Sequence, residues 1–331
     1  MAAVASVKRS LSLSSLLVCF LWLVLLSCGR KEGRQQSNLP SDHAKPVVRI
    51  TQEPFYQQQK LNRTMAALET YIEQAVDVDL EYVPSINYDH SYYLLQSGKI
   101  DLLWAGSLGA FRVTAEASPT APVQPLVIEK PNFVNVLLVH NRSAEQVETL
   151  LQQPEPLQAL KDRRVLFGSA NSGSSFLTPL LEMKDQGVAL KDLQSCGHEP
   201  HHGHRAEYFG SSNEFDFVFM PGLVSDPLRR VSESAQSASE VVWLSQPKRN
   251  YSILGVASGP SASWPERLIR VQQALLQLNQ QGHAEVLQQL GVAGFDMPDD
   301  ETYLAQNRRV GEFRDELDGR VNCLDLGKSL Y

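Results

Sequence analysis

The segment Ser169-Ala170-Asn171-Ser172-Gly173-Ser174-Ser175 gathers hydroxyls around one glycine, between a β-branched and apolar run, Arg164–Phe167, and a helical pattern, Phe176–Asp185. A strand that runs into a helix start leaves the first helical N–H groups without partners, and the helix dipole is positive there. A small oxyanion can accept those bonds. Gly173 permits close backbone approach, and the hydroxyls of Ser172, Ser174 and Ser175 add donors. The same residues also suit an ordinary N-cap in a serine-rich loop, and the loop alone leaves both readings open. Gly106-Ser107 repeats the arrangement after Ile100–Trp104. It reads either as a second helix start aimed at an anion or as a tight turn that packs Trp104. Two opposed helix starts can clamp one anion between them.

Other residues offer chemistry of lesser specificity. Thr51, Gln52 and Glu53 end the first apolar run, and ligands of open α/β sheets sit at carboxyl ends of strands. Glu53 suits a proton-bearing oxygen of a partly protonated oxyanion, but equally a solvated turn, and the turn is the expectation here. His198-Glu199-Pro200-His201-His202-Gly203-His204 holds four of the eight histidines. Imidazoles suit zinc or copper, yet Pro200 and Gly203 mark a loop. The sequence contains no Gly-x-Ser-x-Gly elbow, no His-Glu-x-x-His and no phosphate-binding Walker loop, which argues against the common hydrolase and nucleotidase classes.

The elements that must position these residues alternate. Pro46–Thr51, Val78–Val83 and Ile100–Trp104 read as strands, and Asn62–Ala75 and Tyr88–Gln96 as helices between them. Phe133–His140 is another strand. The alternation then restarts with a helix at Leu157–Arg163, a strand at Arg164–Phe167 and a helix at Phe176–Asp185 that Gly187 ends. Strands are expected at Phe215–Met220, Val241–Leu244 and Tyr251–Ala257. Ser263-Trp264-Pro265-Glu266 has a capping-box pattern before a helix with Leu268, Ile269, Val271, Leu275 and Leu278 on one face, and Ala284–Leu290 forms the next. Two α/β units and a helical return imply two lobes of mixed sheet flanked by helices. The chain is expected to cross between them near 135–145 and 245–255.

Lys8 and Arg9 precede an apolar run, Leu16–Leu26, that ends in Leu25-Leu26-Ser27-Cys28. That is the layout of a secretory signal peptide, and the run is shorter than the ~20 residues of a spanning anchor. The small residue before Cys28 resembles a bacterial lipobox, which implies cleavage before Cys28 and lipid on its thiol. Residues 28–45 carry almost no apolar side chain and read as a flexible linker. Without Lys8 and Arg9 the formal charge falls from −7 to −9. No basic stripe is present, so nucleic acid is not an expected partner. Cys196 and Cys323 either pair, as an oxidising compartment allows, or stay separate buried thiols.

Taken together the motifs are similar to one family. Asn87-Tyr88 stands ten residues before Gly98-Lys99, as an Asp-Tyr stands before that family's Gly-Lys. Ile100-Asp101-Leu102-Leu103-Trp104-Ala105-Gly106 resembles its Val-Asp-x-x-Trp-x-Gly. Phe167-Gly168-Ser169 and Ser172–Pro179 resemble its Phe-Gly…Ser-Thr-Ser-Gly-x-Leu-x-Pro loop. Gly291–Pro298, followed by Tyr303, resembles the C-terminal part of a subgroup often labelled selenate-binding. The chain resembles the phosphate/phosphite/phosphonate-binding proteins of ABC importers, a branch of the type II periplasmic binding proteins. The resemblance implies an α/β, two-lobed fold with the ligand cleft between lobes, lobe 1 being 46–136 plus 250–331 and lobe 2 137–249. It implies an anion site at Thr51, Tyr88, Gly106, Ser107, Ser172, Gly173, Ser174, Ser175 and His204, with Arg205 where the family has an acidic residue. It also implies no catalysis, no cofactor and no metal. The expected protein is a lipid-anchored monomer outside the cytoplasmic membrane that hands a small tetrahedral oxyanion (phosphite, phosphate, phosphonate or selenate) to an ABC permease. Members that bind amino-phosphonates carry a carboxylate after the strand that here continues Pro221-Gly222, which disfavours an aminoalkyl ligand. The rival readings are a metal receptor using His198–His204 and a ligand-sensing domain for a membrane kinase.

Overall fold

A computed structural model describes residues 45–54, 58–145, 154–199, 202–228, 231–249, 251–257, 264–299, 301, 305, 309–311 and 323–325. The expected signal peptide, Cys28, the linker up to Ala44, Ser263 and Tyr303 lie outside the described residues. Val48 and Ile50 alternate with Arg49 and Thr51, so β1 (Val47–Gln52) has two distinct faces. Leu61, Met65, Leu68 and Ile72 recur at helical spacing along α1 (Gln58–Ala75), and Met65, Leu68 and Ile72 pack under one face with Val48 and Ile50. The chain continues through β2 (Asp79–Tyr82), α2 (Tyr88–Gln96), β3 (Leu102–Gly106), α3 (Ser107–Ala115) and β4 (Val123–Glu129). β5 (Phe133–His140), β6 (Arg164–Phe167), α4 (Thr178–Asp185), β7 (Ser195–His198), α5 (His202–Ser211), β8 (Phe217–Leu223), α6 (Glu233–Ala238) and β9 (Ser239–Leu244) follow. β10 (Tyr251–Val256), α7 (Glu266–Gln277), α8 (Ala284–Leu290), β11 (Phe295–Asp296) and β12 (Leu324–Asp325) end the order. Pro265 sits at the N-cap of α7 without a side-chain cap bond.

Two mixed six-stranded sheets result, ordered β11-β4-β10-β3-β1-β2 and β12-β7-β6-β8-β5-β9. In the first, β2, β1 and β3 run parallel while β10 is antiparallel to β3. In the second, β12, β7, β6 and β8 run parallel while β5 opposes β8. Each sheet is covered on both faces by apolar clusters. Each fully buried Leu, Ile or Phe in them contributes roughly 1.5–3 kcal/mol.

Sheet membership moves the expected lobe boundaries. All of β5, from Phe133, belongs to the second sheet, so the first crossing falls at 130–132 and not at 135–145. The second crossing, after β9, runs beside it: Phe133 and Lys248 exchange backbone hydrogen bonds at 3.3 and 2.8 Å. Residues 250–331 do not all return to the first lobe. Leu324 and Asp325 pair with Gly197 and His198 of β7, and Cys323 forms a disulfide with Cys196. The two cysteines whose pairing the sequence left open are joined.

Candidate functional site

The serine segment folds as a π turn, Gly173–Leu177, that leads into α4. The Leu177 N–H donates to the Ser172 carbonyl at 3.1 Å, the five-residue spacing of such a turn. π turns within helices recur at functional sites. Ser172 caps the turn: its Oγ accepts the Ser175 N–H at 3.1 Å. Thr178 Oγ1 donates to the Gly173 carbonyl at 2.8 Å, and the Gly168 N–H to the Ser175 carbonyl at 3.0 Å. The turn is therefore fixed from within, and the buried Ser172, Ser174 and Ser175 line its start. One expected anion donor, the Ser175 N–H, is occupied by this cap.

Arg205 backs the turn. Its side chain is 0% exposed on α5. Nη2 lies 3.4 Å from Ser175 Oγ, and Nη1 donates to the Glu199 carbonyl at 3.2 Å. Only glycine fits at 168, because a Cβ there would collide with the Arg205 guanidinium and with Ser175 Cβ. His198 Nδ1 meets the Gly168 carbonyl at 2.6 Å. A cation thus stands behind the hydroxyl row, where it favours negative charge in front of it.

The first lobe supplies the facing wall. The Tyr251 hydroxyl donates to Ser174 Oγ at 3.3 Å. The Tyr88 hydroxyl lies close to Ser172. Arg112 Nη1 donates to Asn171 Oδ1 at 2.7 Å, and Leu108 of α3 packs with Leu177, Leu181 and Val310. Burial, then the nearby Glu53 and Tyr251, hold the Tyr88 hydroxyl well above the usual tyrosine range, so it remains a donor.

Glu53 organises the start of α3. Its Oε2 accepts the Gly106 N–H at 2.8 Å, and its Oε1 accepts the Tyr92 hydroxyl at 2.9 Å. Gly109 leaves room for the carboxylate, which a Cβ there would strike. Burial pushes the Glu53 carboxyl up to about 7, although the Gly106 N–H, the Tyr92 hydroxyl and Arg112 all draw it down.

Residues 50–303 match the family described as the periplasmic substrate-binding protein of the phosphonate ABC transporter. The chain belongs to that family. A curated relative, the probable ABC transporter phosphite binding protein PhnD1 of Prochlorococcus marinus (strain MIT 9301), is 26% identical over 148 residues. That alignment takes in 45% of this chain, and the chain spans about half the length of the curated relative (48%). The structure of PhnD1 from Prochlorococcus marinus in complex with methylphosphonate superposes with a TM-score of 0.64 at 18% identity, over 82% of this chain and 99% of that one. A binding protein component of an ABC phosphonate transporter (PA3383) from Pseudomonas aeruginosa gives 0.58 at 15% identity, over 83% and 88%. At such identities the likeness is one of fold: the two-lobed α/β binding protein expected from sequence. The family is one of solute-binding proteins and not of enzymes.

Within this phosphonate-type binding protein the expected site residues separate. Tyr88, Gly106, Ser107, Ser172, Gly173, Ser174 and Ser175 lie on the two facing walls. Thr51 does not offer its hydroxyl to the cleft: it is fully buried and donates to the Val83 carbonyl at 2.6 Å. His204 is exposed, and its neighbour Arg205 on α5 reaches the turn. Glu53 is buried and not a solvated turn residue. Among the described residues no group of three or more His, Cys, Asp and Glu is placed to hold a metal ion. His201 lies outside them. Sequence reasoning missed Tyr251 and Arg112. Neither stands out in the local sequence pattern.

Proposed function

We propose that this chain is the solute receptor of an ABC importer and captures a small phosphorus oxyanion, phosphite or a short phosphonate such as methylphosphonate, between its lobes. The observation that carries this reading is the row of buried serine hydroxyls at the π turn, backed by Arg205 and met from the other lobe by the Tyr88 and Tyr251 hydroxyls. Such a cleft offers several neutral O–H donors and a cation behind them. It thereby compensates an anion for the water it loses on entry. The names of its relatives, a phosphite binding protein and a complex with methylphosphonate, agree with this ligand class. Tyr251–Ser174 and Arg112–Asn171 tie the lobes together, so a ligand between them is buried as they close.

In this reading the receptor works outside the cytoplasmic membrane as a monomer, tethered through lipid on Cys28, and docks on a membrane permease. Isothermal titration of the mature protein with phosphite, methylphosphonate, phosphate and selenate tests it. Saturable binding of phosphite or methylphosphonate in preference to the others is expected. Binding of none of the four overturns the ligand assignment.

A further inference from the structure

Asn135 sits third in β5, within Phe133-Val134-Asn135-Val136-Leu137-Leu138-Val139. Its backbone is fully used: the N–H donates to Ser245 Oγ at 2.8 Å, and the carbonyl accepts the Ser245 N–H at 3.0 Å. Its side chain is not. Asn135 is 0% exposed, and among the described residues neither Nδ2 nor Oδ1 has a hydrogen-bond partner. Buried carboxamides are normally paired, so an orphaned one calls for an explanation.

Strand alternation gives the direction of that side chain. Val134, Val136 and Leu138 pack with Ala206 and Phe209 on one face of the second sheet, while Leu137 and Val139 pack with Phe176 on the other. Asn135 shares the face of Leu137 and Val139, which is the face that carries the π turn. β5 and β8 both touch that turn. In register, Asn135 stands opposite Pro221 of β8, at the end of the sheet where Phe167 leads into Gly168. The orphaned amide therefore belongs to the floor of the cleft beside the serine row.

We infer that Asn135 is a ligand-contacting residue whose carboxamide pairs in two-point fashion with a tetrahedral oxyanion that carries a hydroxyl, Nδ2–H donating to one oxygen and Oδ1 accepting the O–H of another. The inference rests on the oxyanion reading of the cleft and narrows it. A carboxamide matches an O=P–OH edge, as in monoprotonated phosphite or methylphosphonate. It mismatches an oxyanion without a proton, such as sulfate or selenate, because Oδ1 would then face a bare anionic oxygen. Selenate, included among the sequence expectations, is therefore the anion this residue rejects.

The test uses the mature protein and isothermal titration with methylphosphonate and with sulfate, at a pH near 6 where the phosphonate carries a proton. Wild-type protein is expected to bind methylphosphonate at least 100-fold more tightly than sulfate. Asn135→Leu, which keeps the branching at Cγ although it is larger, is expected to lose roughly tenfold to a hundredfold in methylphosphonate affinity, the size of a lost bond to a charged group. The melting temperature of ligand-free Asn135→Leu is expected to rise or hold, because the unpaired polar group is gone; a merely structural amide would lower it. Asn135→Asp keeps the shape and serves if the leucine variant does not fold. Its carboxylate is expected to weaken methylphosphonate binding further than leucine does. Wild-type methylphosphonate affinity in either folded variant overturns the role of Asn135. Failure of the wild-type protein to bind methylphosphonate, phosphite or phosphate overturns instead the oxyanion reading on which it rests.

Discussion

Ser174 illustrates how one hydroxyl can serve two lobes. Its Oγ lies 3.4 Å from Ser172 Oγ and accepts from Tyr251 of the other lobe at 3.3 Å. Ser174→Ala is expected to weaken oxyanion binding on the order of tenfold to a hundredfold in calorimetric titration, with an unchanged circular dichroism spectrum. Glu53 acts differently, through the backbone it holds. Burial raises its carboxyl from 4.5 to about 7 in the folded protein. The folded state therefore favours the protonated form. The associated stability is fully present below about pH 4.5 and is lost as pH rises through 7. A rise of that size corresponds to about 3 kcal/mol at most. Glu53→Gln, which keeps an acceptor for the Gly106 N–H, is expected to flatten the fall in urea-unfolding free energy between about pH 5 and 8. An identical pH profile in wild type and variant refutes this. None of this is visible in the string Thr51-Gln52-Glu53-Pro54. A glutamate before a proline resembles a solvated turn until Gly109 and Tyr92, more than thirty residues away, are seen to enclose it.

Elements are more legible than their ends. α1 and α7 carry long apolar stripes, and their existence follows from period alone. β6 and β5 have the bounds expected of them because β-branched and apolar runs are hard to mistake. β7 does not announce itself: Ser195-Cys196-Gly197-His198 has little strand propensity, and its place comes from parallel pairing on both sides, to β6 and β12. β4 is equally hidden, since Pro125 interrupts it. The serine segment is legible as a strand-to-helix junction, but its π geometry depends on the Thr178–Gly173 and Ser175–Gly168 bonds, which no local pattern announces. Gly173→Val belongs to this scale. A β-branched side chain at the first position of a buried turn crowds the space in front of the serines, and binding is expected to fall further than in Ser174→Ala while the far-ultraviolet spectrum holds. Wild-type affinity in a folded Gly173→Val protein moves the site away from the turn.

For the whole molecule, the chain passes between the two sheets at 130–132, after β9, and again between β11 and β12; if the lobes hinge at these crossings, ligand is expected to lower the radius of gyration in small-angle X-ray scattering. Superimposable curves for anion-free and saturated protein argue against closure. Tethering is tested by Cys28→Ala, which is expected to abolish labelling with radioactive palmitate in cells. Persistent labelling rules out Cys28 as the anchor. Repeated alternation in the sequence foretells the two lobes, yet it assigns everything after 250 to the first. A two-residue strand such as Leu324–Asp325 is too short for any periodic signal. Its pairing has a consequence in time. Cys196 leaves the site of synthesis 127 residues before Cys323. Through that interval β7 stands at the open margin of a half-built sheet, with a reduced thiol beside unpaired backbone groups, the kind of edge that recruits foreign strands. The second lobe is thus both begun and finished after the first, and its completion waits until the chain has already gone through the first lobe twice.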